Sequence, residues 1–150
     1  MATSKNTILQ EYPLPVYNYQ VIIDDTAEGM SFSEISGLEM DYEHVLYRHG
    51  FSWVMGDHLI RAQRKPINVS LKRGVAKNRK HLYDWLRKED KRNINISLCD
   101  ENGTPIVTWE VYRALPIKLN APSFNASTND VAIESLDLIA HDIKLTHHDQ

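Results

Sequence analysis

Between Glu34 and Pro66 the chain carries more large apolar side chain than a surface loop can explain. The first half alternates. Leu38, Met40, Tyr42 and Leu46 would share one face, and Glu39, Asp41 and Glu43 the other, so the pattern predicts a strand. Gly50 and Gly56 interrupt it. Around and after them lie Phe51, Trp53, Val54, Met55, Leu59 and Ile60. A chain of 150 residues has room for one core, and its other strands already fill it. A flap over 47–66 that leaves apolar surface outside implies a partner. The partner expected here is another copy of the same chain.

The other segments are mostly strand-like. An extended arm is read over 1–15, ending in Pro13 and Pro15. Val16–Asp25 predicts a strand with Tyr17, Tyr19, Val21 and Ile23 on one face. A turn around Gly29 spans Thr26–Met30. A second strand starts over Ser31–Ile35, with a bulge or bend at Gly37. Ile67, Val69 and Leu71 alternate after Pro66. Ile94, Ile96 and Leu98 alternate before Asn102-Gly103, a hairpin signal, with a return strand over Thr104–Arg113. Pro116–Asp130 reads as a loop. Val131–Leu145 reads as one long strand that is apolar on both faces in places, as in a strand covered on both sides. One helix is predicted after Gly74. Val75, Leu82, Trp85 and Leu86 would fall within about a 100° arc, opposite Lys77, Lys80, Arg87, Lys88 and Lys91. The expected fold is mainly β, a single domain over 1–150. It has two packed antiparallel sheets, a β-sandwich or barrel, and one flanking α-helix.

Charge is unevenly placed. Residues 61–92 hold twelve Lys/Arg against three acids, a local +9, in a chain of net charge −3. The remainder holds five basic residues against seventeen acids, a local −12. Such polarity fits a nucleic-acid or acidic partner, or unlike faces of neighbouring subunits. The basic helix lacks interleaved stacking aromatics, since Tyr83 and Trp85 lie off its stripe. No segment approaches the ~20 apolar residues of a membrane helix, so no membrane anchor is expected. The N-terminus has no signal-peptide pattern, which makes cytoplasmic synthesis the expectation.

Catalytic signals are weak. Seven histidines are scattered without metal-ligand spacing, and the lone Cys99 excludes thiolate clusters and intrachain disulfides. His147-His148-Asp149 reads as a solvated tail. The chain has no glycine-rich phosphate loop and no nucleophile elbow. Asp24-Asp25 ends a strand, and Cys99 reads as a structural thiol. No catalytic residue, metal or cofactor is expected.

Four segments in order carry a resemblance: EYPLPVYNYQVII, FSEISGLEMDYEHVLYRHG, INVSLKRGVAKNRKHLYDWL and ISLCDENGTPIVTWEVYRALPIKLNAPSFNASTNDVAIESLDL. They resemble the inner tube proteins of contractile phage tails and extracellular contractile injection systems, most of all the antifeeding-prophage and virulence-cassette type. The likeness runs roughly from Glu11 to Leu145. It implies a non-enzymatic structural subunit of a hollow tube, assembled in the cytoplasm into an extracellular particle or virion. The implied partners are five further copies in a homo-hexameric ring, stacked tube rings or paralogous tube subunits, the sheath, baseplate hub or spike proteins, and effector cargo in the lumen. Nucleic acid is not expected for an injection system, whereas DNA would pass through a phage tube. Arg48, Phe51, Trp53, Met55 and Leu59 are expected at ring-to-ring contacts, with Glu39, Asp41 and Glu43 against a basic surface of a neighbour. One departure stands out. After Tyr47-Arg48-His49-Gly50 the flap is bulkier and more apolar than the family's polar hairpin, which suggests a tube-initiator ring next to the baseplate. Two alternatives are a ring protein of the type-six-secretion class acting as secreted tube or effector carrier, and a β-domain that binds nucleic acid through the basic helix.

Overall fold

Period-two burial builds the body of the molecule. The computed structural model describes residues 5, 12–24, 32–77 and 81–148, without the side chains of Ser52 and Met55. The strands are β1 (Tyr19–Ile23), β2 (Glu34–Ser36), β3 (Tyr42–Tyr47), β4 (His58–Arg64), β5 (Ile67–Gly74), β6 (Arg92–Cys99), β7 (Pro105–Asn120), β8 (Ile133–Ala140) and β9 (Asp142–His147). Among the described residues, the helices are α1 (Ser52–Met55) and α2 (His81–Lys88). In β5 every second residue, Ile67, Val69, Leu71 and Arg73, is buried. In β8 the buried set is Glu134, Leu136, Leu138 and Ala140.

All pairings are antiparallel. The first half of β7 lies between β6 and β9, and β1 pairs on the far side of β6. The second half of β7 pairs β8, followed by β5 and β2. Two four-stranded sheets therefore share β7 and enclose one core that includes Val21, Ile23, Val69, Ile94, Val111 and Leu136. This is the expected mainly β architecture of two packed antiparallel sheets, with α2 against β7.

The long shared strand corrects two expectations. Residues 116–120 are strand, not loop. Pro116 is buried and sits opposite Leu138. It is tolerated because this half of β7 is the edge of its sheet, where a missing N–H breaks no ladder on the other side. Val131–Leu145 is two strands, not one covered on both faces. The chain passes from β8 to β9 at His141, and the buried parity changes there from Leu136 and Leu138 to Ile143. The same reset occurs in β7 at Arg113, whose φ is +55°, between Val111 and Ala114. A bulge adds one residue and sends the following side chains to the opposite face.

The helix starts later than its apolar arc suggested. Val75 is half exposed and outside it, its N–H bonded to the Ala132 carbonyl. Residues 78–80, including Lys80, lie outside the described residues, as does the turn expected over Thr26–Met30. Leu82 and Trp85 are buried as expected, and Trp85 Nε1 donates to the Asp90 carbonyl at 2.7 Å. Arg87 and Lys88 complement the helix C-terminus. The loop at Asn102-Gly103 spans residues 100–104, with Asp100 Oδ1 accepting from the Asn102 and Thr104 N–H groups at 2.9 Å each. Of the expected arm, residues 1–4 and 6–11 lie outside the described residues. Tyr12–Asn18 has no regular structure.

Candidate assembly surface

The segment between β2 and β5 leaves the body. Gly37 adopts φ +86°, and a Cβ there would lie 2.1 Å from the Asn68 carbonyl oxygen, so only glycine lets the chain cross β5 this closely. After that crossing the expected long strand does not form. Residues 37–41 are irregular, and Leu38 packs on the core while Met40 is exposed. The strand pattern of Leu38, Met40 and Tyr42 is therefore corrected: pairing begins only at Tyr42, where β4 supplies a partner.

β3 and β4 form a separate two-stranded ribbon capped by the single turn of α1. The Asp41–Lys65 ion pair at 3.2 Å and a backbone bond between the same two residues close its base. The hydrogen bond to Asp41, helped by the charges of Asp41 and Glu43, raises the Lys65 pKa. Arg64 ties the ribbon to β9 through Asp142 at 2.9 Å. At the tip Arg48 pairs with Asp57 at 3.0 Å, and His49 Nδ1 accepts the Phe51 N–H at 3.0 Å.

Of the residues expected at ring contacts, Arg48, Phe51, Trp53 and Leu59 all lie on this ribbon and are exposed, Trp53 by 83% and Phe51 by 68%. Met55 closes α1, and its side chain is outside what is described. Glu39 and Glu43 are exposed, while Asp41 is engaged by Lys65. These acids are not one strand face, because only Glu43 lies in a strand. The exposed apolar residues of this ribbon left out of the expected contact set are Val45, Leu46, Tyr47, Val54 and Ile60, all roughly half exposed. Val45 sits opposite Ile60, and Leu46 opposite Leu59. The signal was present in sequence as apolar neighbours at consecutive positions, which no one-sided strand needs.

Little else offers chemistry. A groove of about 420 Å³ at the mouth of the sandwich is lined by Tyr19, Ile35, Leu38, Leu98 and Trp109. Burial and then Glu34 push the Tyr19 phenol up, and its hydroxyl donates to the Phe32 carbonyl at 2.5 Å. Burial also raises the Cys99 thiol, which opposes a nucleophilic thiolate. Arg73 and Glu134 form a buried ion pair at 2.6 Å between β5 and β8. Among the described residues no group of three His, Cys, Asp or Glu is placed to hold a metal ion. No described helix is long and apolar enough to cross a membrane. On the basic side, Lys77, Arg87, Lys88 and Lys91 are exposed, but Lys77 precedes α2.

The family model of the T4-like virus tail tube protein gp19 matches residues 15–144. A chain from the extended sheath–tube complex of an extracellular contractile injection system, PVC, is 33% identical with a TM-score of 0.85, over 98% of this chain and 100% of that one. A chain from the sheath/tube terminator of the same system is 34% identical with a TM-score of 0.82, over 91% and 98%. Hcp1 from Flavobacterium johnsoniae shares the fold alone, at 7% identity and a TM-score of 0.55, over 88% and 97%. No curated protein sequence matches the chain.

Proposed function

We infer that this chain, which belongs to the T4-like virus tail tube protein family, builds the hollow inner tube of a contractile injection system as homo-hexameric rings stacked head to tail. It is a tail tube protein, and its family is a structural one. The observation that carries the fuller reading is the end-to-end likeness to a tube chain from an assembled sheath–tube complex, flap included. Physical features agree with it. Among the described residues both sheets have open edges, which are pairing surfaces for a neighbour in a ring. A head-to-tail contact closes into a ring by rotation and extends by stacking.

In this reading the whole chain is one structural domain with no catalytic role. The arm over 1–15 and the flap over 47–66 are its assembly elements. Arg48, Phe51, Trp53, Met55 and Leu59 contact the adjacent ring, and Glu39, Asp41 and Glu43 face a basic surface of a neighbour. The sheath lies outside the tube, baseplate proteins meet its end, and cargo occupies the lumen. Rings assemble in the cytoplasm before the particle is released. The likenesses to a tube chain and to a terminator chain are nearly equal in identity, so position along the particle is a separate test. Labelled copies mixed with the other tube subunits would appear throughout the tube for a body subunit, and at the baseplate end for an initiator ring.

Negative-stain electron microscopy of the purified chain, with its solution mass by light scattering, tests the assembly. Six-fold rings or hollow tubes are expected. A monodisperse monomer that stays so at high concentration and with baseplate proteins added would overturn the reading. Free rings recovered from the medium without any sheath gene would favour a secreted carrier.

A further inference from the structure

The β3–β4 ribbon is built differently at its base and along its shaft. Tyr42, Ala62 and Arg64 are half-buried, whereas every residue with a described side chain between Glu43 and Arg61 is exposed. Among the described residues, none from β3 or β4 belongs to the core. The register also breaks at the base. Tyr42 sits opposite Arg64 and His44 opposite Arg61, so β4 spends Ala62 and Gln63 against Glu43 alone. Such a bulge bends a strand pair. The shaft beyond it is a lever. From Arg64 to His58 it runs about 20 Å at roughly 3.3 Å per residue, so a tilt of about 10° at the base moves the far end by roughly 3 Å.

The covalent links hold that tilt weakly. Residues 37–41 have no regular structure, and Lys65 and Pro66 join β4 to β5. The Asp41–Lys65 pair ties the two legs of the ribbon to each other, not to a sheet. Arg64 is different. Its Nη1 donates to Asp142 Oδ1 at 2.9 Å, from the ribbon to the first residue of β9. Both partners are held before they meet. Arg64 is paired with Tyr42 across the ribbon, and Asp142 with Tyr112 in the sheet. The same Asp142 oxygen accepts the Ile143 N–H at 2.8 Å, which orients the carboxylate. Tyr112 in turn donates its hydroxyl to Glu110 at 2.6 Å, so Arg64 reaches an acidic corner of the body. Surface ion pairs are usually weak because two free side chains must be immobilised. Here the strand ladders and the Ile143 bond supply much of that order.

We propose that Arg64 and Asp142 are the positioning clasp of the ribbon, holding it at one angle to the sheets in the free subunit. This rests on the assembly reading above, and the two residues act through the ribbon rather than on a neighbour. The effect is one of population. If only a third of the subunits hold the ribbon at the binding angle, apparent affinity for a neighbour falls roughly threefold.

Double electron–electron resonance between spin labels at V54C on the tip and K118C on β7 reads the angle. The parent chain also carries C99A and is kept below the concentration at which it assembles. It should give one narrow distance distribution. R64M and D142N should each at least double the width, with the melting curve of the parent, while R64K, which keeps the charge, stays narrow. D142N retains an acceptor for the Ile143 N–H, so its effect is that of the charge. Without labels, R64M and D142N should need roughly threefold more subunit to form tubes. Unchanged widths in both would mean that backbone and bulge alone set the angle, and would overturn the proposal. A broad distribution in the parent would do the same. So would broadening that comes only with a lower melting temperature, because the pair would then be part of the body's stability. Freed ribbons that still form tubes at the wild-type concentration would remove the positioning role. Tubes absent even from the unlabelled wild type, with widths that still double in the variants, would sink the assembly reading and uphold the clasp.

Discussion

The body and the ribbon spend similar side chains in opposite ways. In the body, Ile67, Val69, Leu71, Leu136 and Leu138 are at most 1% exposed, packed between two sheets. In the ribbon, Val45, Leu46, Leu59 and Ile60 stand in the same kind of cross-strand pairs and remain largely in water. Strand propensity is alike in both, so what differs is a second layer. The body carries its own, and the ribbon has none among the described residues. In the assembly proposed above the two serve different ends: the core makes the subunit fold, and the ribbon is surface for a neighbour to bury.

The sharpest way to break this contrast is to empty the body. Trp85→Ala removes a side chain that is 1% exposed and deprives the Asp90 carbonyl of its donor, so a loss of ~3–5 kcal/mol is expected. Urea unfolding of the unassembled subunit measures it. A wild-type midpoint would mean that α2 does not anchor the core. Next comes Glu134→Gln, which neutralises one member of the buried pair with Arg73 and should cost about 3 kcal/mol by the same measurement. Replacing both partners by Met and Leu should recover most of that, because the pair adds little over well-packed apolar groups. Gly37→Ala lies at the junction of the two regions. With φ +86° and the Asn68 carbonyl in the way, it should destabilise by more than about 1 kcal/mol and loosen the ribbon's attachment, read by hydrogen exchange in β2 and β5.

Trp53→Ala takes the comparison to its other end. The side chain is 83% exposed, so the subunit should melt within about 0.5 kcal/mol of the wild type. Stacked tubes should nevertheless be lost, by electron microscopy. A large stability change would mean that the ribbon tip packs on its own body.

The smallest effect is alkaline. Tyr19 in the body and Lys65 at the ribbon base both have folded-state pKa values raised above their ordinary 10.0 and 10.5. The folded protein then holds its proton where the unfolded chain has lost it. Their contribution is complete below those values and fades as pH rises through the folded-state values. Melting temperature against pH should begin to fall near pH 10, and Tyr19→Phe should flatten the start of that fall. An unchanged profile in Tyr19→Phe would place the alkaline loss elsewhere.

Much of this was legible in the chain itself. The alternation of Ile67, Val69 and Leu71, the Asn-Gly hairpin and the Leu82/Trp85 face each depend on local geometry, where residue type and spacing decide which side is apolar. The surplus of apolar residues between Phe51 and Ile60 was equally visible, since no pairing is needed to count them. Other features depended on partners far away in sequence. The parity resets at Arg113 and His141 follow from β7 serving two sheets, and a bulge leaves no mark that distinguishes it from a two-faced strand. Pro116 lies in a strand because its half of β7 is an edge. Residues 37–41 lack a strand because β5 already pairs β2 and β8, and β4 reaches back only to Tyr42. Arg73, charged and unremarkable in a pattern, is buried because Glu134 is brought to it from sixty-one positions away. Sequence by itself determined which segments extend, where the chain turns and that apolar surface is left over. Only the tertiary structure decided which face each strand buries, because that choice belongs to the partner strand and not to the residue.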